Sequence, residues 1–423
     1  MKKPNKKRTW LARALGAGAM LTTSAVAFAG FLPSMNEKPM PAWTMVYGTE
    51  KPQQSPTALL FGVVQPGYSY VQASPPGATN VTGNGQFKFY RLRPGIRGSI
   101  GPNIDYYFLA EFGNNPANPN SGLVGSAHVL DGNVTLNYIP GVHLQVGQML
   151  VPFADEGLTA AGILPWINYS PATYNIDYQE FASTPAPNAI AGPSGSIFNA
   201  GREMGVMAFN QFYHGPLAVN YAVGYFNGTG ISQTESSMAH PDQGFVHGGV
   251  DYGPFALSGS YEQGRATFSG VSYHQDKYAV DVRYGNFIKD PVWLWYEYQH
   301  ANDGQPAAQG NGAARGWFAA AGFHPVKKFM GVFRYSAYNS ENLDSVTVAV
   351  PPAGPTAGRA EPSFGAPGSV SLDQESLVGI YLARKGVRYY VEFDHTTYNN
   401  SSAPADNAVS VMLSVPFGVR LLH

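Results

Sequence analysis

The sequence contains no cysteine and little charge. Only 13% of its 423 residues are Asp, Glu, Lys or Arg, against about 25% in an average globular chain. The absence of cysteine excludes disulfides, thiolate-bound zinc or iron–sulfur centres, c-type haem attachment and a cysteine nucleophile. Glycine and proline are abundant instead, with 49 and 33 copies, and both penalise helix interiors. These features argue against a helix-rich enzyme.

Long apolar runs are also absent, except near the N-terminus. The stretch 14–28 follows six basic residues and ends in Ala27-Phe28-Ala29. A basic segment, a short apolar segment and an A-x-A site predict a secretory signal peptide over residues 1–29, cleaved after Ala29. A transmembrane anchor is the alternative. However, glycine, threonine and serine interrupt the stretch, and it is short of the roughly 20 apolar residues that a spanning helix needs.

Removal of the signal peptide leaves a mildly acidic chain. The segment 1–29 holds six basic residues and no acidic ones, so cleavage changes the formal charge from −1 to −7. No basic cluster remains, and a nucleic-acid partner is therefore not expected. Residues 30–56 are rich in proline and polar residues and have no period, which is typical of a periplasmic lead-in. The main domain is predicted over residues 57–423.

The main domain alternates between apolar and polar residues with a period of two. In 278–284, for example, Tyr, Val, Val and Tyr alternate with Ala, Asp and Arg, and 387–394 repeats the pattern. This period predicts β-strands with one apolar face. A soluble sandwich or propeller is one interpretation. A transmembrane β-barrel is favoured because the chain carries an export signal, the runs last about ten residues and aromatics lie at their ends.

Turn residues divide the alternating runs into sixteen predicted strands joined by short and long connections in strict alternation. This is the arrangement of an all-β, 16-stranded antiparallel transmembrane barrel with both termini in the periplasm. The segment 265–275 is predicted as a long connection, although it could instead extend the strands beside it. The last strand is expected to end at Phe417, and the chain continues for six residues beyond it. The predicted strands are 58–71, 85–99, 104–113, 127–138, 142–151, 201–212, 216–227, 243–252, 255–264, 276–287, 291–300, 315–324, 327–338, 375–385, 386–398 and 406–418.

Three segments resemble a known family. The run Val-Gly-Gln-Met-Leu-Val-Pro-Phe at 146–153, together with 89–98 and 104–111, is similar to the phosphate-selective porin O and P family. The resemblance implies a trimeric outer-membrane porin whose third loop, here residues 152–200, folds inward. The family usually carries a lysine in the first of these runs, where this chain has Met149 and Leu150. The predicted third loop of this chain holds no Lys or Arg.

Charged residues indicate where a constriction could form. The candidate basic wall consists of Arg91, Arg93 and Arg97, which share one face of the second strand. The third loop carries four carboxylates, namely Asp155, Glu156, Asp177 and Glu180. If the loop folds inward, these groups would face the arginines and set up a transverse field. The alternatives are that the arginines pair with Asp105 and Glu111 on the third strand, and that the loop forms an external flap.

Two tryptophans share a face with polar residues on a later strand. Trp293 and Trp295 alternate with Val292 and Leu294 and lie on the same face as Glu297. They are candidate lumen aromatics that could stack on sugar rings. Alternatively, they belong to the aromatic belt at the membrane surface.

Motifs of catalysis are missing. The sequence has no Gly-x-Ser-x-Gly elbow and no histidine or carboxylate spacing typical of a metal site, so no cofactor, metal or enzymatic activity is expected. The predicted function is passive diffusion of small hydrophilic solutes or ions through a water-filled channel. An anion or phosphate channel is the alternative, followed by a barrel-embedded enzyme or a sheath for a periplasmic partner.

The expected location is the outer membrane of a Gram-negative cell. Expected partners are outer-membrane lipid, lipopolysaccharide, the barrel assembly machinery, small polar solutes and two further copies of the chain in a homotrimer.

Overall fold

The chain folds into a closed barrel of sixteen antiparallel strands, which confirms the predicted fold class. The computed structural model describes residues 56–73, 82–113, 128–178, 201–227, 243–268, 271–302, 313–343, 368–399 and 405–422. The predicted signal peptide, residues 1–29, lies outside these ranges, and so does the predicted lead-in, residues 30–56, except for its last residue. Glu180 also lies outside them.

Each strand pairs with its neighbours in the sequence, and the first strand pairs with the last. All sixteen strands lie where alternation predicted them, and most differ only at their ends. The strands are β1 (Ala58–Ala73), β2 (Thr82–Gly101), β3 (Ile104–Glu111), β4 (His128–Ile139), β5 (Val142–Leu150), β6 (Arg202–His214), β7 (Leu217–Phe226), β8 (Gln243–Tyr252), β9 (Phe255–Phe268), β10 (Val271–Tyr284), β11 (Val292–Asn302), β12 (Ala313–Val326), β13 (Phe329–Leu343), β14 (Gly368–Leu382), β15 (Arg388–Tyr398) and β16 (Asp406–Leu422).

The prediction of a long connection over 265–275 is wrong. Strand β9 continues to Phe268, β10 begins at Val271, and these two residues pair with each other. The physical reason is visible in the sequence: this segment is the only predicted long connection without proline. Every residue in it can therefore donate to the ladder of hydrogen bonds, whereas proline cannot.

The last strand does not end at Phe417. Strand β16 runs on to Leu422, and Ala58 at the start of β1 lies opposite Leu422. Phe417 itself pairs with Gly62. The extra residues therefore complete the seam that closes the barrel, which matters because an unpaired strand edge is unfavourable in hydrocarbon.

The two faces of the strands have opposite character. On β15, Tyr389, Val391 and Phe393 are exposed on the outside, while Glu392 and Asp394 are buried on the inside. Exposed and buried residues alternate along most of the other strands as well, so an apolar outer surface surrounds an interior that holds the buried polar and charged side chains together with the apolar residues that pack against the third loop. This is the distribution expected where lipid contacts the outer face and water contacts the inner one.

The third loop folds into the barrel, as predicted. Its described part continues from β5 through a short helical turn at Asp155–Leu158 to a π-helical turn at Thr173–Tyr178. Nearly all of residues 151–174 are buried against the inner wall. Among the described residues, no helix is long and apolar enough to cross a membrane.

Candidate functional site

Carboxylates of the inner wall hold the third loop by its backbone. Asp281 Oδ2 on β10 accepts a hydrogen bond from the amide of Asp155 at 3.3 Å, and Glu297 Oε2 on β11 accepts from the amide of Glu156 at 2.7 Å. On β15, Glu392 accepts from the amide of Ile167. The loop is thus attached to strands far along the chain from its own position between β5 and β6.

The loop carboxylates pair with cations on the same part of the wall. Asp155 Oδ2 lies 2.7 Å from Arg283 Nη2, and Glu156 Oε1 lies 3.3 Å from Arg334 Nη1. Arg334 also donates to the carbonyl oxygen of Asn168 at 2.9 Å. Because this arginine is completely buried, its charge is balanced by the loop that covers it.

Asp177 occupies the far end of the described loop. Its Oδ1 lies 3.9 Å from Lys277 Nζ, and Lys277 also lies 3.1 Å from Glu262. Asp177 belongs to the third loop and not to one of the membrane-spanning strands. Burial raises the pKa of its carboxyl to about 7, because desolvation outweighs the opposing attraction of Lys277.

An aromatic cluster packs the loop against β11 and β12. The ring of Trp166 lies 5.3 Å from that of Trp295 and 5.4 Å from that of Phe318, and the Arg334 guanidinium lies 4.7 Å from Trp166. Trp293 and Trp295 both face the lumen side and are 1% and 2% exposed. The alternative of a membrane-surface belt is therefore wrong for these two residues, and their rings are covered by protein.

The predicted basic residues on β2 lie on the opposite side of the loop. Arg91 donates to Gln65 Oε1 at 3.0 Å and to the carbonyl oxygen of Ile167 at 3.4 Å. Arg93 Nε donates to Glu111 Oε2 at 2.5 Å, which is the cross-strand pairing considered as an alternative. The guanidinium of Arg97 lies 5.4 Å from the centre of the Phe61 ring.

The structure therefore does not bring the arginines of β2 and the described loop carboxylates face to face. Asp155, Glu156 and Asp177 point to cations of β10 and β13, while the β2 side of the loop presents small and apolar residues. Local sequence patterns could not reveal these pairs, because the partners lie 100 or more residues apart in the chain.

A cavity of about 80 Å³ lies between the loop and the β2 side of the barrel. Three arginines line it: Arg93, Arg97 and Arg202, the last at the start of β6. Among the described residues, no carboxylate lines the cavity. Asp131 Oδ2 lies 3.2 Å from Arg202 Nε, and both Asp131 and Glu111 are fully buried. Sequence analysis missed Arg202, although it stands alone at the edge of a segment that has no basic residues.

One serine and one histidine come together across two strands. His247 Nδ1 on β8 lies 2.9 Å from Ser260 Oγ on β9, and His247 Nε2 lies 3.1 Å from Asn220 Oδ1. Ser260 Oγ donates its proton to the carbonyl oxygen of Phe153 at 2.5 Å. The serine proton thus holds the start of the third loop, and is not directed to the histidine as activation of a nucleophile requires. Within the described ranges, no three His, Cys, Asp or Glu residues are arranged for metal binding.

The closed barrel, its apolar outer face, its charged interior and its inward loop define the outer-membrane porins as a class. A family model of the phosphate-selective porin O and P family matches residues 64–329, which is more than half of the chain. The chain belongs to this family and is an outer-membrane channel. A search of curated protein sequences finds no match.

Solved porin structures share the fold at low sequence identity. An anion-selective porin from Comamonas acidovorans superposes with a TM-score of 0.60 at 13% identity, covering 86% of this chain and 100% of that one. The outer-membrane channel DcaP of Acinetobacter baumannii gives 0.51 at 13% identity and covers 86% and 98%. A trimer form of OmpT from Vibrio cholerae gives 0.51 at 11% identity and covers 86% and 100%. These likenesses concern the fold.

Proposed function

We propose that this porin lets small hydrophilic solutes and ions diffuse passively through the barrel and that it prefers anions. The observation that carries the proposal is the charge of the cavity beside the third loop. Arg93, Arg97 and Arg202 line it, and no carboxylate of the described part of the chain does. Positive groups in a narrow, low-dielectric passage raise the local concentration of anions and repel cations.

The positions of the neighbouring carboxylates support this preference. Glu111 and Asp131 pair with Arg93 and Arg202, but both carboxylates are fully buried and neither lines the cavity. The described carboxylates of the third loop are directed to the opposite wall. A solute beside β2 therefore meets guanidinium groups more closely than carboxylates. One of the porins that share this fold, that of Comamonas acidovorans, is anion-selective.

We further propose that the chain is exported by a signal peptide cleaved after Ala29 and assembles as a homotrimer. Gly30 would then be the first residue of the mature protein. Insertion into lipid and lipopolysaccharide would depend on the barrel assembly machinery. The proposal makes the protein a channel and not an enzyme. N-terminal sequencing of the protein purified from outer membranes tests the cleavage site, and chemical cross-linking in detergent tests the trimer.

The preference for anions is tested in planar bilayers. The reversal potential of the purified porin in a KCl gradient is expected to have the sign of a chloride-preferring channel. Arg93→Gln, Arg97→Gln and Arg202→Gln are expected to move it toward the cation side. Arg315→Gln is the matched control, because Arg315 is exposed on the outer face of β12. A wild-type reversal potential of the cation-preferring sign would overturn the proposal.

A further inference from the structure

The cavity beside the third loop is apolar as well as basic. Besides its three arginines it is lined by the side chains of Phe61, Val63, Leu109 and Leu158. A hydrated inorganic ion gains nothing from such contacts, since it keeps its water and needs polar partners. A solute with an apolar body, by contrast, gains free energy from each apolar surface that it covers.

The wall side of the cavity rests on a packed apolar cluster. Phe61 and Leu109 pack together with Leu130, and the ring of Tyr107 lies 5.4 Å from that of Phe61. Arg97 lies over the same Phe61 ring, so a cationic group and an aromatic face meet at one corner of the cavity. This corner can contact the charged end and the apolar body of one molecule at the same time.

The loop side of the cavity consists mainly of small residues. Positions 157–162 read Gly-Leu-Thr-Ala-Ala-Gly, and all six line the cavity. Four of the six are glycine or alanine, so the loop leaves a flat space between its backbone and the rings of the wall.

From these observations we propose that the cavity is a binding site for organic monoanions with a compact apolar body, such as aromatic carboxylates. The carboxylate would lie at Arg93, Arg97 and Arg202, and the ring would lie between Phe61 and Leu158. A guanidinium carries five N–H donors, so pairing with one protein carboxylate leaves it able to bind a second anion. The inference rests on the proposed anion preference and names the solute class that uses the same cavity.

The test compares two carboxylates that differ only in their apolar part. Benzoate and acetate are each titrated against the chloride current of the wild-type porin in planar bilayers at pH 7, where both are ionised. Benzoate is expected to reach half-maximal reduction of the current at a concentration at least about tenfold lower than acetate, since its ring buries apolar surface in the cavity. Benzyl alcohol, which has the ring without the charge, is expected to have little effect.

Variants of the apolar lining test whether benzoate reduces the chloride current by binding in this cavity. Leu158→Asn and the nearly isosteric Val63→Thr are expected to raise the half-maximal benzoate concentration several-fold and to leave that of acetate unchanged. Val71→Thr is the matched control, because Val71 lies on the lumen face of the same strand but does not line the cavity. The substitution Val→Thr preserves shape, so failure to fold is not expected to obscure the result.

Two outcomes would overturn the inference. Equal potency of benzoate and acetate on the wild-type porin would show that the apolar lining contributes nothing. An equal change of benzoate potency in Val63→Thr and Val71→Thr would place the effect outside the cavity. The KCl reversal potential is measured on the same channels, so an anion-preferring porin that does not distinguish the two carboxylates refutes this inference and leaves the proposed function intact.

Discussion

The guanidinium of Arg334 lies 3.3 Å from the carboxylate of Glu156, and both side chains are completely buried inside the barrel. One residue comes from β13 and the other from the third loop, so this contact joins the loop to the wall of the barrel. The same arginine donates to the carbonyl oxygen of Asn168 and lies over the ring of Trp166. Arg334 is therefore a central attachment point of the loop.

Loss of Arg334 should release the loop. Arg334→Ala leaves the Glu156 carboxylate buried without this partner, and breaking a buried pair in this way costs about 3–5 kcal/mol. We expect the single-channel conductance in planar bilayers to rise and to become noisier. Lys328→Ala is the control, since Lys328 is exposed in the turn before β13. An unchanged conductance in a folded Arg334→Ala barrel would contradict the role given to this residue.

Removal of the aromatic anchor should change the size limit of the channel. Trp166→Ala deletes a fully buried ring that contacts Trp295 and Phe318, and such truncations typically cost about 3–5 kcal/mol. We expect proteoliposomes with this variant to swell faster in disaccharide solutions relative to monosaccharide solutions. Trp317→Ala, the same change on the outer face of β12, should leave the ratio of the two rates as in wild type.

The stability of the protein should depend on pH through Asp177. The folded chain holds the proton of this carboxyl up to about pH 7, because burial raises its pKa, whereas the unfolded chain releases it near pH 4. Between these values the folded state binds more protons, so the contribution of Asp177 to stability is lost as the pH rises through about 7. The slope of this contribution is at most about 1.4 kcal/mol per pH unit.

Asp177→Asn removes this titration. We expect the melting temperature in detergent, followed by circular dichroism, to fall less between pH 5 and pH 8 in the variant than in the wild-type porin. Other buried carboxylates titrate in both proteins, so the difference between the two isolates Asp177. Identical changes in the two proteins would show that its proton is not retained in the folded state.

Neutralising the partner of Arg93 should strengthen the preference for anions. Glu111→Gln keeps a hydrogen-bond acceptor next to Arg93 Nε but removes the negative charge behind the cavity. The reversal potential in a KCl gradient is expected to move further toward the chloride side, opposite in sign to the effect of Arg93→Gln. If both substitutions move it in the same direction, the cavity charge does not control selectivity.

The strand pattern could be predicted from the sequence because a membrane barrel imposes local rules. Each strand must alternate between lipid and water, and each connection needs turn residues, so both features are visible within ten or fifteen residues. The exception at 265–275 shows the limit of this reasoning. Glycine and serine occur both in connections and in strands, so they did not identify this segment correctly. The absence of proline would have indicated that it continues the strands.

The arrangement of the site could be predicted only where its residues lie on adjacent strands. The pair Arg93–Glu111 joins β2 to β3 and was within reach of cross-strand reasoning. The pairs Asp155–Arg283 and Glu156–Arg334 join the third loop to β10 and β13. Their formation depends on the direction in which the loop enters the closed barrel, and no local pattern encodes that direction.

The attachment of the third loop to β10, β11, β13 and β15 also implies an order of assembly. The loop is synthesised before any of these strands, and its carboxylate and amide partners are supplied only by the later half of the protein. A sheet that lacks these later strands would lack the side chains that the loop binds. Narrowing of the passage must therefore be a late event in biogenesis that waits for these later strands.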